Sequence, residues 1–304
     1  WYISKYASPL KYGFASRHFS FACEFNKQGW PTLIVASDSN HTANFPEFVR
    51  KYTHEEIDGV KTIWIRTRKY GGVGGFSRIL SWLDFEWKLF RLDKKSLPVP
   101  DVVVISSLSL LTVLNGWWLK RKYKCQLVFE INDIWPLTII QVGGYSRWNP
   151  FVCILAWIER FGYKQADVII GTMPNLGEHV QNVIGSNDKT FCIPQGIDPA
   201  LYENAEPLSD EFVRQYIPQG KFVVGYAGSI GRSNALSTLV DCAVRMQSNE
   251  NIHFLLIGSG EFLDGFKRVT AKCSNITFAP KIKKTQVQAF LAYCDVVYDS
   301  VMDV

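Results

Sequence analysis

Lys221 to Leu239, KFVVGYAGSIGRSNALSTL, is the stretch on which the fold turns. Phe222 to Ala227 are apolar enough for a buried strand, Gly228 and Gly231 form a turn, and a helix is expected to open near Ser233. Strand, glycine turn and helix N-terminus, in that order, can hold a phosphate. Glycine lets the backbone come close, and unpaired helix N–H groups point at the anion. The same order also suits a plain strand-to-helix turn, and both readings stand at this point. Gly225-x-x-Gly228-x-x-Gly231 is not the Gly-x-Gly-x-x-Gly spacing of dinucleotide cofactors, which disfavours nicotinamide chemistry.

Outward from this stretch, strands alternate with helices along the whole chain. Towards the C-terminus come strand 253–257, the turn GSGEF, helix 261–272, strand 276–279, helix 285–293 and strand 295–299. On the N-terminal side, strand 2–6 leads into the loop ASPLKYG, a helix over 15–28 and strand 32–36. After the glycine-rich run 71–75, read as a linker or lid base, follow a helix over 76–95, strand 102–106, helix 108–122, strand 126–131 and the loop NDIWP. Helix 151–165, strand 167–171, helix 175–183 and strand 190–194 complete this half. The expected architecture is α/β: two doubly wound, mainly parallel, Rossmann-like sheets, with the ligand cleft where their carboxyl-end loops face each other. Residues 1–194 form the first domain, the polar, proline-marked 195–220 a linker, and 221–304 the second domain, read as incomplete.

The composition, with 47% hydrophobic and 20% charged residues, is that of a globular protein. Seven cysteines without any Cys-x-x-Cys argue against a disulfide framework or a thiolate zinc site, and for a reducing compartment. Residues 1–190 carry 23 Lys and Arg against 16 Asp and Glu, whereas 191–304 carry 10 against 12, an asymmetry too mild to imply nucleic acid. All ten tryptophans lie between Trp1 and Trp157. In 76–95 and 117–124 they are interspersed with Lys and Arg, a mixture suited to an anionic membrane interface, and equally to an amphipathic helix with a solvated basic face. The eighteen uncharged residues between Asp101 and Lys120 are broken by Ser, Thr, Asn and Gly, and read as a strand and a helix rather than a membrane span. The chain opens within one strand and stops just after another, as expected of a piece of a longer protein.

Several stretches fall in a telling order: ASPLKYG with Arg17-His18; Glu130-Ile-Asn-Asp-Ile-Trp-Pro136; Ile193-Pro-Gln-Gly-Ile-Asp198; the opening stretch; Leu256-Ile-Gly-Ser-Gly-Glu261; and Phe278-Ala-Pro-Lys281. This series resembles glycosyltransferase family 4, nucleotide-sugar-dependent retaining enzymes of the GT-B fold, and more narrowly its bacterial capsule and O-antigen members. The resemblance covers essentially the whole chain. It implies that Gly13 lies beside the donor phosphates, that Pro194, Gly196 and Asp198 match the hinge, and that Gly228 and Gly231 match the donor-side turn. Gly258, Gly260 and Glu261 match the nucleotide-side Gly-x-Gly turn, and Pro280 and Lys281 fall where the base is read.

Two departures stand out. Where many members carry Arg and Lys after the first glycine of the donor turn, this chain has Ser229 and Asn234, leaving Arg232 as the cation within reach. Where many carry a His beside the acidic residue, it has Asn132-Asp133. The family's paired glutamates, expected beyond Val304, are not in this stretch.

The chain contains no Asp-x-Asp, so no metal-clamped diphosphate is indicated, and no cofactor beyond a UDP- or GDP-linked sugar is expected. The implied chemistry is transfer with retention, with Arg232 assisting the leaving group and Asp133, next to Asn132, positioning the acceptor hydroxyl or taking its proton. Asp133 also suits a turn-forming role. Arg17, His18 and Trp135 are assigned to the acceptor side, and a buried structural His is an equally simple reading of His18. The resemblance further implies a lipid-linked saccharide acceptor, peripheral attachment through 76–124 to the cytoplasmic face of the cell membrane, and no nucleic acid. A GT-B-fold epimerase or a non-catalytic nucleotide-sugar-binding subunit are the alternatives. Acceptor-dependent nucleotide release distinguishes them.

Overall fold

The computed structural model describes all residues except 14–15, 41–42, 71–75, 142, 198, 232–233 and 301–304. The expected glycine linker 71–75, the hinge residue Asp198 and the leaving-group candidate Arg232 therefore lie outside the described residues. The chain divides into two compact units, Trp1–Ile197 and Asp198–Val304.

The first unit is built on an eight-stranded sheet. Its strands are β1 (Tyr2–Ile3), β2 (Leu33–Ser37), β3 (Tyr52–Ile57), β4 (Val60–Ile65), β5 (Val102–Ser106), β6 (Gln126–Ile131), β7 (Val168–Gly171) and β8 (Thr190–Cys192). The spatial order is β3-β4-β2-β1-β5-β6-β7-β8. All pairs are parallel except the β3–β4 hairpin at one edge. A parallel sheet is covered on both faces, which is why its central strands are continuous apolar runs. The helices are α1 (Arg17–Lys27), α2 (Phe76–Phe90), α3 (Thr112–Tyr123), α4 (Leu137–Gln141), α5 (Pro150–Gln165) and α6 (Leu176–Ile184). Phe19 and Ala22 of α1 close one face of the sheet over Ile34, Ala36 and Trp64. Phe85 and Leu89 of α2, Val113 and Leu119 of α3, and Leu155 and Ile158 of α5 close the other over Val35, Ile63, Ile105 and Phe129.

The uncharged run 102–119 is divided between β5 and α3, and among the described residues no helix is long and apolar enough to cross a membrane. β1 is shorter than the expected 2–6: after Ile3 the chain turns, with Ala7 N–H bonded to Ser4 O at 3.2 Å, and the loop leading to α1 begins.

The second unit holds α7 (Pro199–Glu203), α8 (Asp210–Tyr216), β9 (Phe222–Ser229), α9 (Ser237–Arg245), β10 (Ile252–Ser259), α10 (Leu263–Val269), β11 (Ile276–Ala279), α11 (Val287–Leu291) and β12 (Val296–Val297). The sheet order is β11-β10-β9-β12, all parallel. Residues 199–220 are not the open linker expected. Ser209 caps α8 by accepting from Phe212 N–H at 3.2 Å, and Leu208, Phe212, Tyr216 and Ile217 pack with Val223, Leu255 and Phe290. The signal was the spacing of those four apolar residues, close to a helical period and outweighed by the prolines around it.

Candidate functional site

In the second unit, the two glycine turns meet at the carboxyl ends of adjacent strands. β9 and β10 stay paired to their last residues, Gly228 opposite Gly258 and Ser229 opposite Ser259. Ile230 N–H then donates to Ser259 O at 2.9 Å, and Phe262 N–H to Ile230 O at 3.1 Å. A Cβ on Gly258 (φ +153°) would lie 1.8 Å from Gly228 O, and one on Gly260 2.3 Å from Ile230 O. Here glycine is required by the turns packing backbone to backbone, whatever binds above them.

The donor-side turn is locked from within. Tyr226 Oη donates to Ser229 O at 2.7 Å, and the Asn234 amide donates to Tyr226 Oη at 3.0 Å and to Ser229 O at 2.6 Å. Asn234, expected beside the diphosphate, thus spends its amide on closing the turn. With Ala235 at φ +43°, the turn runs on and α9 opens only at Ser237, later than the expected Ser233. Gly228, Ser229 and Glu261 are exposed and Gly231 is half-buried. Pro280 and Lys281 follow β11 and line a cavity of about 210 Å³ with Leu208, Phe212 and Gln286. A larger cavity, about 410 Å³, is lined by Gly220, Asn251 and Asn275 at the amino-terminal ends of the strands, away from the glycine turns.

In the first unit, one buried carboxylate gathers residues that lie far apart in sequence. Glu130 at the end of β6 is fully buried and accepts from Arg17 Nε at 2.8 Å and from Tyr2 Oη at 2.8 Å. The other guanidinium nitrogens of Arg17 reach the outgoing chain: Nη2 donates to Ile193 O at 3.2 Å, and Nη1 to Pro194 O at 3.2 Å and Gln195 Oε1 at 3.4 Å. His18 Nε2 sits 3.5 Å from Glu130 without a hydrogen bond, and burial pushes its pKa below the ordinary value. Arg17 and His18, assigned to the acceptor side, are both buried. Arg17 ties β6 to residues 193–195 instead. Gly196 has open space around its Cβ position, so sterics do not require glycine there. Gly13 does need it, ending the 3-10 turn Leu10–Tyr12 at φ +93°.

The loop after β6 is held by Ser106 at the end of β5 and by Ser107 just after it. Ser107 Oγ accepts from Asn132 N–H at 3.0 Å and donates to Asp133 O at 3.1 Å, while the Asn132 amide donates to Ser106 Oγ at 3.1 Å. The Asp133 side chain faces outward, yet the walls around it desolvate its carboxyl and raise its pKa, against the opposing charge of Arg78. Trp135 stands edge-on to Trp82 at 5.4 Å, and the Trp82 indole N–H donates to Tyr6 Oη at 2.7 Å, which Arg78 Nε also reaches at 3.2 Å.

Sequence reasoning did not find Lys5, Tyr6 or Arg78 as part of this end of the sheet. Arg78 was counted with the basic surface of its helix, and only the fold turns the first turn of α2 inward. Lys5 is fully buried, with Nζ donating to Ser39 O at 2.7 Å. Burial pushes its amine down to about 7 from an ordinary 10.5, and Arg78 adds repulsion. Such an amine costs stability while it is ionised. That cost is fully present below about 7 and gone above 10.5, so stability rises with pH through that window. Lys5→Met is expected to abolish the rise, measured by urea unfolding at pH values on either side of the window.

Among the described residues, no group of three or more His, Cys, Asp or Glu is placed to hold a metal ion. The fold and the paired turns are those of a GT-B protein. In solved structures the chain resembles sucrose-phosphate synthase from Thermosynechococcus elongatus (TM-score 0.70, 16% identity, 99% of this chain and 76% of that one). It likewise resembles OtsA (0.67, 11%, 97% and 76%) and Anabaena HepE in complex with UDP and glucose (0.60, 12%, 99% and 73%). No curated protein sequence matches it. Residues 16–201 match the model of Glycosyltransferase Family 4. The chain belongs to glycosyltransferase family 4.

Proposed function

We propose that this protein moves a sugar from a nucleotide-sugar donor to a hydroxyl of a lipid-linked saccharide, with retention and without a metal ion, in the synthesis of a bacterial surface polysaccharide at the cytoplasmic face of the membrane. The observation that carries the donor half is the pair of exposed glycine turns at the carboxyl ends of β9 and β10, where open α/β sheets take their ligands. HepE, of the same fold, was solved with UDP and with UDP-glucose, which supports a nucleotide-sugar as donor. In this reading the turn Gly228–Asn234 takes the diphosphate, Arg232 neutralises its developing charge, and Pro280 and Lys281 meet the base. On the acceptor side, Asp133 positions the attacking hydroxyl and accepts its proton.

The experiment is acceptor-dependent nucleotide release from UDP- and GDP-sugars, with the acceptor in detergent. Asp133→Asn is expected to lower kcat by about a hundred-fold, in the range of lost general-base catalysis. Wild-type kcat is expected to fall with acidity through a pKa above the ordinary 3.8 of a free aspartate, because a protonated Asp133 cannot accept. Arg232→Ala is expected to cost roughly ten-fold or more if that guanidinium stabilises the leaving group. Unchanged rates would remove both residues from the mechanism. The second reading, a non-catalytic nucleotide-sugar-binding subunit, is favoured by Asn234, whose amide closes the turn instead of offering charge. Binding of donor without turnover would establish it.

A further inference from the structure

We infer that the outer faces of α2, α3 and α5 form one docking surface for an anionic lipid bilayer, and that α5, outside the tryptophan-rich stretches of 76–124, supplies one of its anchors. The inference rests on the reading above only in placing the acceptor in a membrane. Three apolar residues of α2 are core: Trp82, Phe85 and Leu89 are buried under the helix. Leu83, Trp87 and Phe90 point out. From there a ladder of rings crosses three helices: Phe90 to Trp118 at 5.1 Å, then the neighbouring Trp117 to Phe161 of α5 at 5.5 Å, and Phe161 to Trp157 at 5.8 Å. Trp157 is 61% exposed and Ile154, a turn before it, 56%. A contiguous apolar face of this kind is an interaction surface, unlike single exposed residues.

The charges select the partner. Arg91 lies over Trp87 at 5.4 Å, Arg121 over Trp117 at 5.3 Å, and Lys122 over Trp118 at 4.8 Å. The acids of the three helices are all spent: Asp84 pairs with Lys88, Glu86 accepts from Thr112 and Asn115, and Glu159 accepts from Tyr163 and pairs with His179. What is presented outward is tryptophan beside Arg91, Arg121 and Lys122, which form no salt bridge among the described residues, the composition of a headgroup-depth anchor on an anionic leaflet. Lysine is depleted at protein–protein contacts, which weighs against a second copy of the chain.

Trp30 provides a matched control. It is also 61% exposed, but it follows α1, which packs on the opposite face of the same sheet. The full chain is floated with phosphatidylcholine vesicles with and without phosphatidylglycerol, at low and high salt, without donor. Salt-sensitive binding to the phosphatidylglycerol vesicles alone is expected, weakened roughly ten-fold by Trp157→Ser and by Arg121→Glu/Lys122→Glu, and unchanged by Trp30→Ser. The inference is overturned if wild type ignores these vesicles, if Trp30→Ser weakens binding as much as Trp157→Ser, or if Trp157→Ser abolishes self-association instead. Transfer to a detergent-solubilised acceptor is read separately, so loss of docking with transfer intact refutes this inference and spares the proposed function.

Discussion

Gly258→Ala is expected to destabilise the second unit by about 3 kcal/mol or more and to abolish donor binding, adding the strain of a side chain at an unfavourable φ to an overpacked contact. The reason is local and steric. The new methyl would lie 1.8 Å from Gly228 O and 3.0 Å from its carbonyl carbon, and both obstacles are backbone. No rotamer change relieves such a contact, so β9 and β10 must part at Gly258 and Gly228, the pair before their last. The donor-side turn hangs on that pairing through Ile230 N–H and Ser259 O, and so loses its shape with it. Gly265→Ala is the control. It lies in α10 of the same unit with nothing within 4 Å of its Cβ position, and is expected to stabilise by roughly 0.5–1 kcal/mol, the usual preference for alanine within a helix. Urea unfolding of the two variants, with titration of the nucleotide-sugar into each, decides the matter. A Gly258→Ala protein as stable as wild type would mean that the turns are not packed as described.

That contact also marks how far the sequence could be read. The alternation of apolar strands with amphipathic helices carried the two parallel sheets, because burial on both faces leaves an apolar run that local pattern detects. The glycines at 228, 258 and 260 were legible as a pattern, but not their purpose. Spacing along one strand says nothing of the neighbouring strand's register, and it is the register that sets Gly258 against Gly228. The same limit hid the cluster at the carboxyl end of the first unit's sheet. Lys5 and Asp133 in their loops and Arg78 in the first turn of α2 are brought to one end of the sheet only by the strand order β2-β1-β5-β6. Asn234 was visible as a departure from the family's cation, but its bond to Tyr226, eight residues earlier, depends on the curl of the turn between them. Arg17 was assigned to the acceptor side from its place in the ordered series, which says nothing of a buried glutamate 113 residues further on. Only its pairing with a buried glutamate makes burial tolerable.

Arg17→Met is expected to destabilise the first unit by about 3–5 kcal/mol, the usual cost of leaving a buried charge unpaired, here on Glu130. Tyr2 Oη would remain as a donor to that carboxylate, but one neutral hydrogen bond does not replace the lost opposite charge. Arg17→Met/Glu130→Gln removes both charges and should recover a large part of the stability, a coupling measured by the double-mutant cycle. What the double variant cannot recover is the second function of the guanidinium. Ile193 O, Pro194 O and the Gln195 amide oxygen all lose their donor, and this is the segment by which the chain leaves β8. Faster amide exchange over residues 193–197 is therefore expected in the double variant despite its restored stability, together with a lowered kcat in the nucleotide-release assay. Arg17→Lys keeps the charge but reaches fewer of these acceptors than the planar fork, and should fall between the two. If exchange in 193–197 followed global stability through the whole series, Arg17 would be a core ion pair and nothing more. If it stayed fast in the stable double variant, the Arg17 guanidinium is the anchor from which residues 193–197 take their position.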